Sequence, residues 1–108
     1  ANSGADLTSF AGGTITFDLK IVQQPTDASA EWLMKAECGH PCGATDQVLG
    51  TQAELATDTW HSFSINIDDL VASGLDLSKV NNILTVFPTW GVSSDAIYRF
   101  DNVYWNRP

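Results

Sequence analysis

The sequence predicts an all-β fold, an antiparallel β-sandwich or jelly roll, formed as a single domain over residues 1–108. Three observations support this prediction: runs of strand length alternate between apolar and polar residues, turn signals separate them at short intervals, and almost no stretch has helical periodicity. Short half-buried strands of this kind are typical of sandwiches and jelly rolls, because each strand must bury its apolar face against a second layer.

The clearest alternation lies in residues 14–22. The apolar positions there are Ile15, Phe17, Leu19 and Ile21, and the polar positions between them are Thr16, Asp18 and Lys20. Because successive side chains of a strand point to opposite faces, one set faces inward and the other outward. We expect the apolar set to form part of the core.

Four later segments also have the character of strands. Residues 31–38 alternate with Trp32, Met34, Ala36 and Cys38 on one side, and Leu33, Lys35 and Glu37 on the other. Residues 61–67 alternate in the same way, residues 82–88 are apolar almost throughout, and residues 96–105 are aromatic and β-branched. The predicted inward set is Phe17, Leu19, Trp32, Met34, Phe63, Ile65 and Val103.

One segment breaks the strand pattern. Residues 68–74 begin with two aspartates and end in Gly74. Acidic residues at the start and glycine at the end are typical of a short helix with a glycine C-cap. We expect a single helical turn there.

The charge of the chain narrows the range of partners. The sequence has 13 acidic residues against 5 basic ones, for a net charge of −8, and the basic residues are scattered. Nucleic acid and anionic membrane surfaces would be repelled, so we expect neither as a partner. No run approaches the roughly 18 apolar residues of a membrane span. A neutral partner fits this charge best, and we expect the domain to be a monomer.

The two cysteines indicate the compartment. Cys38 and Cys42 flank a Gly-His-Pro turn that could bring the sulfurs together, and we predict a Cys38–Cys42 disulfide in a secreted or extracellular protein. Free thiols, or a metal site formed with His40 and His61, are the alternatives. The chain begins at Ala1 without an initiator Met or a signal peptide, and we expect it to be a module excised from a longer protein.

No catalytic pattern stands out. The sequence has no G-x-S-x-G nucleophile elbow and only two histidines. Glycoside hydrolysis needs two carboxylates across a cleft, and the many carboxylates leave such a pair open. The simpler interpretation places Asp68 and Asp69 at a helix start and the others in solvent. We therefore expect no enzyme.

The aromatic residues are the remaining functional signal, with 4 Trp, 2 Tyr and 5 Phe. Trp90 lies between Pro88 and Gly91, where a strand gives way to a loop, and we expect it to be an exposed contact residue. Tyr98 is as consistent with the core as with a contact. Trp32, Trp60 and Trp105 are expected mainly in the core, with Trp32 kept as a further contact candidate. The polar candidates for ligand binding are Lys35, Glu37 and Arg99, with Asp18 as a further polar position.

Several segments together resemble a known family. They are GGTITFDLK at 12–20, CGHPC at 38–42, TWH at 59–61, SGLDLSKV at 73–80, FPTWG at 87–91 and YRFDNVYW at 98–105. These segments resemble galactose-binding-like β-sandwich carbohydrate-binding modules, as attached to marine bacterial glycanases such as laminarinases. The resemblance implies a non-catalytic module that binds polysaccharide, specifically a neutral β-1,3-glucan such as laminarin, and that is tethered to a glycoside hydrolase.

The same resemblance implies a structural calcium ion. In such modules an aspartate two residues before a valine of the last strand often binds the metal, and Asp101 precedes Val103 in that way. Asp6 and carbonyl groups near Gly12 are the further candidates. Calcium takes six to eight oxygen ligands, so one aspartate is not enough to define a site.

Two other classes of function stay open from the sequence. A protein-interaction sandwich of a cell-surface or secreted assembly would use the same aromatic residues against a protein. A minimal hydrolase or lyase would use a carboxylate pair.

Overall fold

The computed structural model describes residues 6–38 and 46–108. They form two three-stranded antiparallel sheets, as the alternating sequence predicts. In chain order the strands are β1 (Thr14–Gln23), β2 (Glu31–Glu37), β3 (Gln47–Thr51), β4 (Trp60–Asn66), β5 (Asn82–Pro88) and β6 (Ile97–Asn106). The front sheet has the order β4-β1-β6 and the back sheet has the order β3-β2-β5, so β1 and β2 are the central strands.

The predicted short helix is present as α1 (Ile67–Ser73), which follows β4 directly. Gly74 ends it with a φ of 123°, a region that favours glycine, and its N–H bonds back to the helix at Val71. Two 3₁₀ turns, Thr8–Phe10 and Leu77–Lys79, complete the described helical structure. Within residues 6–38 and 46–108 no helix has the length and apolar character needed to cross a membrane.

The core lies between the two sheets and follows the predicted alternation. The inward side chains of β1 are at most 1% exposed, and Trp32 and Met34 of β2 have no exposed surface. Phe63, Ile65 and Val103 are partly buried and pack against this cluster. Burying each large apolar side chain contributes roughly 1.5–3 kcal/mol, so this core is the main source of stability.

The one polar atom of Trp32 is accommodated inside this core. Its indole N–H donates to the Gln24 side-chain oxygen at 2.9 Å, and the Gln24 amide donates to the Leu55 carbonyl at 2.7 Å. A buried donor without a partner would be costly, and this relay avoids that cost. In the described part of the chain, every buried side-chain nitrogen or oxygen has a partner.

A β-bulge interrupts the pairing of β1 with β6. Thr16 lies opposite Tyr104, and Asp18 lies opposite Asp101. Two residues of β6, Asn102 and Val103, therefore lie opposite a single residue of β1, Phe17. Asn102 has a φ of 54°, which asparagine tolerates better than most residues. A bulge of this kind redirects side chains locally, and here it affects the outward face of the front sheet.

Three aspartates stabilise turns in the same way. In each, one carboxylate oxygen accepts hydrogen bonds from the backbone N–H and the hydroxyl group two residues later, at 2.6–3.1 Å. The pairs are Asp6 with Thr8, Asp27 with Ser29 and Asp76 with Ser78. These hydrogen bonds favour the charged form and lower the pKa of each aspartate below its ordinary value.

These turns predict a loss of stability in acid. The pKa of each of these aspartates is lower in the folded state than in the unfolded state. The stability that the three turns contribute is therefore fully present above the ordinary pKa of Asp, and it is lost as the pH falls through the folded-state pKa values. The melting temperature should therefore decline as the pH falls below about 4. A variant with Asp27→Asn and Asp76→Asn should melt lower than the wild type at pH 7, and the two curves should converge in acid. A difference in melting temperature that stays constant from pH 7 to pH 3 would contradict the stabilising role of these charged aspartates.

The core predicts the stability of a matched pair of variants. Ile15 has no exposed surface, whereas Ile97 on β6 is 51% exposed. Ile15→Ala should destabilise the domain by about 2–5 kcal/mol, and Ile97→Ala by well under 1 kcal/mol. Urea unfolding of both variants measures this. Equal losses would show that the inward face of β1 is assigned incorrectly.

Candidate functional site

Trp90 lies in the loop that follows β5, and its side chain is 74% exposed. Two backbone hydrogen bonds hold the loop: Thr89 N–H donates to the Glu31 carbonyl at 3.0 Å, and Val92 N–H donates to the Thr89 carbonyl at 3.2 Å. Gly91 then turns the chain with a φ of 82°. The exposure of Trp90 agrees with its predicted place at the strand-to-loop junction, and its role in binding stays a prediction.

The Trp90 ring packs against one other aromatic ring, that of Phe87. The two ring centroids are 5.1 Å apart and the ring planes meet at 41°. Phe87 pairs with Leu33 of β2, on the outward face of the back sheet, and is 7% exposed. Trp90 therefore presents a flat aromatic surface to solvent on a firm support.

A shallow groove of about 360 Å³ adjoins the Trp90 ring; we call it the Trp90 groove. Its lining combines aromatic and aliphatic surface with two aliphatic hydroxyl groups, and none of the lining side chains is charged. The lining residues are Thr85, Val86, Phe87, Pro88, Trp90, Ser93, Ala96 and Tyr98. Such a lining suits an uncharged ligand that has both apolar faces and hydroxyl groups.

Tyr98 belongs to both the core and the groove. Its ring meets Trp32 edge-on, with the ring centroids 4.8 Å apart, and its burial raises the pKa of the phenol. The same residue forms part of the groove wall. The core interpretation of Tyr98 is therefore correct, and its role as a ligand contact stays a prediction.

Lys35 and Glu37 lie near the Trp90 groove, on the outward face of the back sheet. Lys35 pairs across the sheet with Thr85, which lines the groove. The Lys35 ammonium lies 3.9 Å from the Glu37 carboxylate, and both side chains are partly exposed. The structure thus places Lys35 next to a residue that lines the Trp90 groove, with Glu37 beside Lys35.

Two other predicted ligand contacts, Arg99 and Trp32, do not line the Trp90 groove. Arg99 lies on β6, opposite Lys20, on the outward face of the front sheet. Trp32 has no exposed surface, because it points between the sheets and packs against Tyr98. The prediction of Trp32 as a possible ligand contact is therefore wrong, and its alternation with Met34 gives the correct interpretation.

The two predicted calcium ligands lie in different parts of the fold. Asp101 lies on β6, an edge strand of the front sheet, opposite Asp18 of β1. Asp6 is bound to Thr8, and its neighbour Leu7 bonds to the Leu77 carbonyl. Among the residues described, no three His, Cys, Asp or Glu side chains are grouped to hold a metal ion. The calcium ion, with Asp6 and Asp101 among its ligands, stays a prediction.

The predicted cysteine pair lies partly beyond the described residues. Cys38 is 4% exposed, and its sulfur accepts a hydrogen bond from Asp76 N–H at 3.4 Å. Cys42 and His40 lie outside the described residues, so the disulfide stays a prediction. His61, the fourth member of the alternative metal set, lies on β4 in the other sheet, with its Nε2 2.9 Å from the Ala56 carbonyl.

The sequence interpretation missed the outward face of the front sheet. Trp60 was expected mainly in the core, yet it is 48% exposed, and Tyr104 is 61% exposed. Trp60 shares its side of β4 with Ser62 and Ser64, and Tyr104 alternates with the inward Val103 and Trp105. The period of two residues was therefore a signal that could have placed both rings outside.

A two-sheet antiparallel sandwich with exposed aromatic rings beside shallow grooves has the architecture of a binding domain. A family model, Exop_C, described as galactose-binding domain-like, matches residues 1–104. The chain belongs to this galactose-binding domain-like family, which confirms the predicted fold class. Such domains are typically non-catalytic binding modules, and this class is compatible with carbohydrate binding. No curated protein and no solved structure matches the chain.

Proposed function

We propose that this domain binds a neutral polysaccharide without catalysing a reaction, and that the ligand is a β-1,3-glucan such as laminarin. The observation that carries the proposal is the exposed Trp90 ring, supported by Phe87 beside an uncharged groove. The domain would hold a parent glycoside hydrolase on its substrate outside the cell.

Stacking supplies the affinity in this proposal. The C–H face of a sugar ring can lie flat on an indole, and the ring loses little freedom on binding because Phe87 already restrains it. Thr85 and Ser93 place hydroxyl groups in the groove lining. The Thr85 oxygen accepts from the Asn82 amide at 2.6 Å, so its O–H remains to donate to a sugar oxygen. Lys35 and Glu37 extend the polar surface along the back sheet, next to Thr85.

Charge supports the choice of a neutral glycan. The net charge of −8 repels polyanionic chains at long range, and the Trp90 groove has no charged side chain in its lining to offset this repulsion. A β-glucan has no ionised groups, so the net charge does not repel it and it needs no charged partner in the groove. The choice of β-1,3-glucan among neutral glycans rests on the family resemblance of residues 87–91 and 98–105.

Replacing Trp90 tests the proposal. Trp90→Ala should weaken binding of laminarin roughly ten- to a hundredfold, which corresponds to about 1–3 kcal/mol of lost stacking. The melting temperature should barely change, because the side chain is 74% exposed. Trp90→Phe should retain part of the affinity, since it keeps an aromatic face. Titration calorimetry and a melting curve for each variant measure these effects.

Phe100→Ala is the matched control, because Phe100 is an aromatic residue on β6 that is 41% exposed and lies outside the Trp90 groove. Its affinity for laminarin should equal that of the wild type. Unchanged affinity in folded Trp90→Ala would remove Trp90 from the site. Binding of the wild type to xylan or agarose but not to laminarin would show that the choice of sugar is wrong.

A further inference from the structure

On the outward face of the front sheet, paired residues of β4, β1 and β6 form four rows across the strands. We call each row of three residues a rung. None of these positions is aliphatic; two are aromatic and the rest are polar or charged. The rungs are Asn66-Thr14-Asn106, Ser64-Thr16-Tyr104, Ser62-Asp18-Asp101 and Trp60-Lys20-Arg99. An antiparallel sheet often has one polar face toward water, so the polar residues alone indicate no site.

Two exposed aromatic residues lie on this otherwise polar face. Trp60 and Tyr104 are 48% and 61% exposed, and they lie on the two edge strands of the sheet, two rungs apart. From a strand spacing of about 4.8 Å and a rise of about 3.4 Å per residue, their Cα atoms are roughly 17 Å apart. A compact ligand would reach one ring at most, whereas an extended chain can contact both.

Asp18 lies between these rings in a fixed orientation. One of its carboxylate oxygens accepts from the Ser62 hydroxyl at 2.7 Å, and the other accepts from the Asn102 amide at 2.8 Å. These hydrogen bonds lower the pKa of Asp18 below its ordinary value, so it is an anion at neutral pH. Each carboxylate oxygen accepts more than one hydrogen bond, so Asp18 retains the capacity to accept from a ligand.

The β-bulge is what completes this arrangement. Asn102 reaches Asp18 because the extra residue turns its amide onto the outward face, and the backbone there adopts a φ of 54°. An asparagine in the left-handed region costs conformational energy, and such residues are concentrated at functional sites. Bulges next to binding sites commonly serve to redirect a side chain in this way.

The fixed groups border a groove of about 400 Å³. Its lining residues are Thr16, Phe17, Asp18, Ser62, Phe63, Ser64, Asn102 and Tyr104. Hydroxyl groups, an amide and a carboxylate therefore meet beside an exposed phenol ring. A ligand that fits must supply closely spaced hydrogen-bond donors and acceptors together with an apolar face.

The charges on this face select among such ligands. Asp18 and Asp101 occupy one rung, and Lys20 and Arg99 occupy the next, so the four charges cancel. A polyanion would meet the aspartates, and a polycation would meet Lys20 and Arg99. A neutral polyhydroxylated chain meets neither obstacle and can use both kinds of group.

We propose that the outward face of the front sheet is a second binding surface for a neutral sugar chain, with Tyr104 and Trp60 as stacking residues and Asp18 as a hydrogen-bond acceptor. This surface shares no lining residue with the Trp90 groove. The domain would then contact two glycan chains, or two segments of one chain, at two separate places on its surface. Two weak sites on one domain raise the affinity for a polymer above that for a short oligosaccharide.

The test measures binding of laminarihexaose, cellohexaose and xylohexaose by titration calorimetry to the wild type, Trp90→Ala, Tyr104→Ala and the double variant. Trp90→Ala should retain binding of at least one oligosaccharide, with the stoichiometry falling from two sites to one. Adding Tyr104→Ala should weaken that remaining binding roughly tenfold. Tyr104→Phe keeps the ring and should restore most of the affinity. Because Tyr104 is 61% exposed, all variants should melt close to the wild type.

The outcomes separate the two sites. If Trp90→Ala abolishes binding and Tyr104→Ala changes nothing, the second surface is overturned and the Trp90 site stands. If Tyr104→Ala alone weakens binding, the second surface stands and the Trp90 site falls. If none of the three oligosaccharides binds the wild type, both proposals are overturned.

Discussion

The alternation of β1 is the constraint on which the rest of this structure depends. β1 is the central strand of the front sheet, and its inward side chains from Ile15 to Ile21 are all at most 1% exposed. A shift of one residue in its pairing would expose these side chains and bury Asp18 and Lys20 instead. An unpaired buried charge costs several kcal/mol, so the register has one acceptable solution.

Once β1 is fixed, its neighbours are fixed with it. Phe17 faces Phe63 on β4, where the two rings stack with centroids 5.3 Å apart, and Ile15 faces Trp105 on β6. The same pairing turns Trp60 and Tyr104 outward, next to Lys20 and Thr16. Position along the strand, and not hydrophobicity, thus decides which aromatic rings form the core and which meet solvent. The surface proposed for glycan binding is a direct consequence of the packing of the core.

Much of the fold could be predicted from the sequence, because the period of two residues is a local signal. The alternation identified the inward faces of β1 and β2, and the position between Pro88 and Gly91 indicated the exposure of Trp90. Local composition also located α1 to within one residue of its observed start and end. In each case the physical cause lies within a few neighbouring residues.

The candidate sites depend on contacts that no local pattern contains. Ser62 and Asn102 meet Asp18 from 44 and 84 residues away in sequence, and the bulge that positions Asn102 arises only from the pairing of β6 with β1. The separation of Arg99 from Lys35 has the same origin, because the two strands that carry them belong to different sheets. Sequence reasoning found suitable residue types but could not group them by face.

The four tryptophans provide the most direct test, because each indole N–H gives its own signal in a nitrogen–proton NMR spectrum. Trp32 and Trp105 donate internally, to Gln24 at 2.9 Å and to the Ile83 carbonyl at 3.1 Å. Trp90 and Trp60 are exposed. On titration with laminarihexaose, we expect the Trp90 and Trp60 signals to move while the Trp32 and Trp105 signals stay. Movement of the Trp32 and Trp105 signals alone, or of none of the four, would contradict both proposed binding surfaces.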